Sequence, residues 1–247
     1  MRSSNPALAR DPFAKAERTS GSGVMTLNGS INKAGFLIGI TMLTAGLTWT
    51  SYLEQVREGN GFPSMLMWGC LIAGFVLSLV IIFKPTMAPI LSPVYAALEG
   101  GLLGAITMYM ELVYPGIAMQ ALLGTFGVFI LMLMTYRMGW IKVTEKFRSI
   151  LTMAIGGVAL IYLFSIIGSF VGFNIPYIHE GGPIGIGFSV FVCGLAALSL
   201  LMDFDLIERG VRSQSPKFME WYAAFSLLVT LIWLYIEILR LLAKSRK

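Results

Sequence analysis

Seven long, nearly uncharged apolar runs restrict the fold of this chain more than any motif does. They cover residues 34–52, 64–83, 88–110, 118–136, 150–172 and 184–202, with a last one between 221 and 242. A membrane-crossing helix needs roughly 20 mostly apolar residues, because the hydrocarbon core is about 30 Å thick and a helix rises about 1.5 Å per residue. Barrel strands alternate polar and apolar positions over about ten residues, whereas these runs are continuous. An open sheet would leave its edge groups unpaired in lipid. The runs therefore predict an all-α, polytopic membrane bundle with about seven transmembrane helices.

Composition agrees: 56% of residues are hydrophobic and 13% are charged, against about 25% charged in soluble domains. The first partner is thus the lipid bilayer. A net charge of +5 sits mostly in tails and loops, where it orients the chain in the membrane and gives no reason to invoke nucleic acid. Residues 1–30 read as a flexible, polar, basic tail, marked by Asn5, Pro6, Asp11, Pro12 and the Ser20–Gly23 stretch. Residues 31–247 read as the membrane domain. Arg137, Lys142, Lys146 and Arg148 fill the fourth-to-fifth loop, and Arg209, Arg212 and Lys217 the sixth-to-seventh. This asymmetry places the amino terminus in the cytoplasm. It also creates a conflict, since seven crossings leave Lys244, Arg246 and Lys247 on the opposite side. Cys70 and Cys193 lie in apolar runs and are expected to be small core residues without a disulfide.

Enzyme signals are lacking in the sequence. One histidine, His179, cannot build a multi-histidine zinc site. The glycines from Gly181 to Gly187 precede an apolar helix instead of opening a βαβ unit. No serine or cysteine has an evident base. The expectation is a protein without catalysis or cofactor. The informative residues are acids at membrane depth: Glu99 within the third span, Asp203 and Asp205 at the end of the sixth, and Glu237 within the seventh. A charge in hydrocarbon is costly, so each should face the bundle or water. Asp203 and Asp205 can simply be wet. Glu237 can pair with Arg240 at i,i+3. Glu99 is either a protonated structural acid or a relay or pore acid, as in a proton-coupled transporter. Small-xxx-small pairs at Gly35/Gly39, Gly100/Gly104 and Gly168/Gly172 are expected at helix contacts.

Two stretches carry a family resemblance. Leu201-Met202-Asp203-Phe204-Asp205-Leu206-Ile207 and Leu234-Tyr235-Ile236-Glu237-Ile238-Leu239 resemble the acidic motifs that end the sixth span and occupy the seventh in the Bax inhibitor family, YccA-like bacterial branch. The resemblance extends over roughly residues 31 to 245. It implies six helices around a central seventh, a bacterial inner-membrane location, and a pH-sensitive calcium leak. In that mechanism Asp203 and Glu237 pair or share a proton, and a basic residue near the second-to-third turn, here Lys84, engages the sixth-span acid in the closed form. Asp205 and Arg240 depart from the family pattern. Asp205 adds an acid that could join Asp203 and Glu237 around calcium or another cation, and Arg240 could compete for Glu237. The separation of the two motif acids is long, so pairing requires residues 215–225 to run along the membrane interface. Bacterial relatives are also associated with a membrane-bound AAA protease, which implies a second reading, a regulatory scaffold.

Overall fold

The structure, a computed structural model, describes residues 23–59, 64–171 and 182–246. Among these residues the chain forms seven α-helices and one 3-10 turn: α1 (Leu27–Arg57), α2 (Ser64–Phe83), the turn Pro85–Met87, α3 (Ala88–Val113), α4 (Ile117–Arg137), α5 (Glu145–Val171), α6 (Pro183–Arg212) and α7 (Met219–Ser245). Each expected run lies within one helix or, at 172, reaches just past its described part. Six helices are long and apolar enough to cross a membrane; the apolar stretch of α2 among the described residues, Met67–Phe83, is shorter. The protein is an all-α, helical integral membrane protein.

Local chemistry sets the helix ends. Thr26 sits in extended conformation and its Oγ accepts from the Gly29 amide at 3.0 Å, so α1 begins at Leu27, inside the segment expected to be tail. α2 stops before Lys84-Pro85, as the sequence indicated, because proline lacks the amide the helix needs. Gly116, at φ +81°, turns the chain into α4, and the Glu111 carboxylate caps that helix by accepting from the amides of Gly116 and Ala118 at 2.5 and 2.9 Å.

Two expectations change at the carboxy-terminal hairpin. α6 runs on past Met202 to Arg212, so Asp203 and Asp205 lie inside a continuous helix and not at its end. The segment 215–225 is not a separate element, since residues 219–225 are the start of α7. A tight turn with Gln214 at φ 51° leads straight into α7, whose first two turns are Met219–Phe225. At about 1.5 Å per residue, α7 is roughly 40 Å long, enough to span the hydrocarbon. Burial of the apolar windows separates α3, α6 and α7 (44–50%) from α1, α4 and α5 (11–17%). α7 is therefore one of three well-buried helices, and burial does not single it out as central.

The chain divides into two compact units, Met1–Ile106 with Asp205–Leu228, and Thr107–Phe204 with Val229–Lys247. In the first, α1 and α3 touch through glycine. A Cβ at Gly104 would collide with the Ala45 backbone, and one at Gly100 with the Thr44 hydroxyl and Thr41 backbone. The Thr41 hydroxyl also donates to the Ala96 carbonyl at 3.2 Å. The Gly100/Gly104 pair thus serves packing, whereas Gly35 and Gly39 face open space and make no such contact. In the second unit, Leu151 and Val158 of α5 pack with Val192 and Leu195 of α6, and Trp233 of α7 lies against them. Phe204 meets the rings of Phe129 and Tyr136 on α4. Outward side chains such as Leu123, Phe164 and Leu43 are apolar and about two-thirds exposed, a surface that suits lipid.

Candidate functional site: the buried acids

Glu237 is 1% exposed on α7. Its carboxylate is held on two sides. The Tyr162 hydroxyl of α5 donates to it at 3.1 Å, and Arg240, one turn further along α7, donates at 3.0 Å. Arg240 also donates to the Tyr162 oxygen at 2.6 Å and lies 5.0 Å from that ring's centre. The three groups close a compact ring of charge-assisted hydrogen bonds, the arrangement in which a buried carboxylate is tolerated. Arg240 is thus the direct partner of Glu237, the pairing its i,i+3 spacing offers. Tyr162 was not foreseen, since a tyrosine in an apolar run looks like an ordinary packing residue.

Asp203 is 5% exposed on α6, in the same unit. Lys244, near the end of α7, donates to the Gly185 carbonyl and the Ser189 hydroxyl at 3.1 and 2.8 Å. These bonds fix the antiparallel register of α7 on α6 and put Glu237 level with the stretch around Gly194. Asp203 then lies about nine residues, or roughly 14 Å, away along the helix axes at ~1.5 Å per residue. The contacts that hold Glu237 here are Tyr162 and Arg240, and the register sets Asp203 apart from them along the helices. The cause is the tight α6–α7 turn.

The three-acid cation site also fails to assemble. Asp205 pairs with Arg209 at 2.8 Å, and side chains two apart on a helix point away from each other. Among the described residues no group of three His, Cys, Asp or Glu side chains gathers to hold a metal. Lys84 is exposed at the end of α2. His179, Glu180, Gly181 and Gly172 lie outside the described residues, and the rest of the glycine stretch opens α6 as anticipated.

Glu99 is half-buried on α3. The Tyr95 hydroxyl, one turn earlier, hydrogen-bonds its carboxyl. Its Oε1 lies against Gly74 of α2, where a Cβ would come within 3.0 Å. The acid therefore faces a neighbouring helix.

A fifth acid, Glu220, gives no signal in the sequence. Glu220, in the first turn of α7, is 1% exposed. It accepts from the Thr26 amide and hydroxyl, both at 2.9 Å, and forms an ion pair with Lys33. A Cβ on Gly29 would run into this carboxylate. Beside it, residues 23–25 form a strap on the α6–α7 turn. Met25 donates to the Ser215 carbonyl at 2.8 Å, and the Lys217 amide donates to the Gly23 carbonyl at 2.9 Å. Thr26 supplies an N-cap without the glutamate that completes a capping box, and Glu220 acts in its place from the far end of the chain.

The arrangement can be set beside known proteins. None of the curated proteins matches the chain. A family described as Bax inhibitor 1 like matches residues 5–247, nearly the full length. The match covers both acidic stretches on α6 and α7, and the protein belongs to the Bax inhibitor 1-like family.

Proposed function

We propose that this protein is a cation leak channel, with calcium as the ion, held closed by the Tyr162–Glu237–Arg240 contact and opened when Glu237 takes up a proton. The observation that carries this reading is a carboxylate buried in a membrane span and neutralised by an adjacent guanidinium. Protonating Glu237 removes the charge that fixes Arg240 in place. Arg240, whose side chain is 37% exposed, then gains by turning to water, as snorkelling side chains do. Losing that lock frees α7 from α5, and the leak rises as pH falls. Asp203 acts as a separate acid on α6. Carboxylate oxygens suit a cation that prefers oxygen ligands. No catalytic step is assigned.

We place the amino terminus in the cytoplasm and all seven helices across a bacterial inner membrane. Loop charge supports this orientation. So does the engagement of the terminal cations: Lys244 is used at the start of α6, and Arg246 donates to the Pro115 carbonyl and the Gln120 side chain. Those charges have structural partners and are poor guides to sidedness.

One observation favours a second reading, a regulatory scaffold. The strap ties the amino-terminal segment to the α6–α7 turn, so a partner gripping that segment, such as a membrane-bound AAA protease, would act on the turn. Purified protein in liposomes separates the two. A calcium leak that grows on acidification supports the channel; folded protein with no leak at any pH refutes it and favours the scaffold.

A further inference from the structure

Five of the acids in these helices have a basic partner: Glu145 with Arg148, Glu220 with Lys33, Asp205 with Arg209, Glu208 with Arg212, and Glu237 with Arg240. Glu99 differs. Among the described residues no Lys, Arg or His pairs with it, and its hydrogen-bond partner is the Tyr95 hydroxyl. The titratable groups around it are Tyr95 on α3, Cys70 on α2, and Tyr52 of α1 next to Cys70. Phe225 of α7 packs edge-on against Tyr95 at 5.0 Å and adds no charge. The carboxyl also has a fitted space, since Gly74 provides room that any side chain would fill. A lone carboxylate at this depth would stand in a medium where an uncompensated charge costs about 2.5–3.5 kcal/mol even on lenient scales. A neutral carboxylic acid avoids that cost and still uses the Tyr95 bond, because each hydroxyl can donate or accept.

We propose that Glu99 is a second intramembrane proton site, neutral at rest against Gly74 and Tyr95, which loads and unloads separately from Glu237. The ligand is the proton itself, and the site lies in the unit of α1, α2 and α3. The inference does not depend on the channel reading, because its test reads chemistry at Glu99 and not ion flux.

A hydrophobic carbodiimide is the probe. It reacts with a protonated carboxyl: the proton passes to one carbodiimide nitrogen, and the carboxyl oxygen adds to the central carbon. Acyl migration then leaves a stable N-acylurea, with no leaving group and no redox change. Full-length protein in liposomes is treated with dicyclohexylcarbodiimide, or with a water-soluble carbodiimide, across a pH series, and the peptides are read by mass spectrometry. The expected result is labelling of Glu99 by the hydrophobic reagent and little by the soluble one. Labelling should fall about tenfold per pH unit once the ionised form dominates. The same profile is expected in Glu237→Gln. Absence of the adduct at every pH, equal labelling by both reagents, labelling that does not change with pH, or a profile that moves in Glu237→Gln each overturns the proposal.

Discussion

Replacing Glu220 with alanine should loosen the amino-terminal strap while leaving the rest of the membrane domain intact. The magnitude follows from its surroundings. Glu220 is 1% exposed and accepts from Thr26 twice and from Lys33. Truncating one member of a buried ion pair costs about 3–5 kcal/mol. The Lys33 side chain retains 17% exposure and can recover some hydration, while Thr26 keeps its own cap on Gly29. A loss of about 2–3 kcal/mol remains. Hydrogen exchange reads this directly at the amides of Met25 and Lys217, which bond across the strap. With a factor of ten per ~1.4 kcal/mol, their exchange should quicken by about thirty- to a hundredfold. Glu220→Gln keeps the shape and an acceptor for Thr26, so it should cause a smaller change in the same direction. The amides of Gly116 and Ala118, capped by Glu111 in the other unit, should not change. Unaltered exchange at Met25 and Lys217 in Glu220→Ala would refute the reasoning.

Gly100→Val should prevent α1 and α3 from closing and yield little monodisperse protein in detergent, whereas Gly35→Ala, which meets open space, should purify like the parent. Lys244→Met leaves the Gly185 carbonyl and Ser189 hydroxyl without their donor and should lower stability by about 1–3 kcal/mol, seen as a lower midpoint in thermal unfolding. In a background lacking Cys70 and Cys193, single cysteines at Lys142 and Ser245 should react with an impermeant maleimide from opposite sides of the membrane. Reaction from one side alone would contradict three full crossings between them.

Much of the fold can be read from the chain because hydrocarbon imposes one requirement, a continuous apolar helix of sufficient length. That requirement located α1 through α7, and proline marked the end of α2. Glycine spacing was a weaker guide: Gly100 and Gly104 meet α1, but Gly35 and Gly39, equally spaced, meet nothing. Helix periodicity says which residues share a face and not which neighbour that face receives. The site was legible where partners are close in sequence. Glu237 with Arg240 follows from i,i+3 spacing alone. Tyr162 and Glu220 were not legible, because their partners lie on distant helices and their own surroundings look ordinary. A buried glutamate at the start of a helix resembles a solvated first-turn acid until Thr26 and Lys33 are seen beside it. The axial offset of Asp203 from Glu237 was not legible either, because it is set by a turn whose tightness the sequence does not announce.

The central claim is that Glu237 controls the leak through its own contacts, with Asp203 acting apart from it. A double-mutant cycle tests it most directly: calcium release from liposomes against pH for the parent, Asp203→Asn, Glu237→Gln and the double variant. With the two acids roughly 14 Å apart at ~1.5 Å of rise per residue, their effects on the logarithm of the leak rate should add to within about 0.5 kcal/mol. Glu237→Gln alone should abolish most of the rise on acidification. A double variant no different from either single one, or a Glu237→Gln protein that keeps the parent's pH profile, would contradict the account.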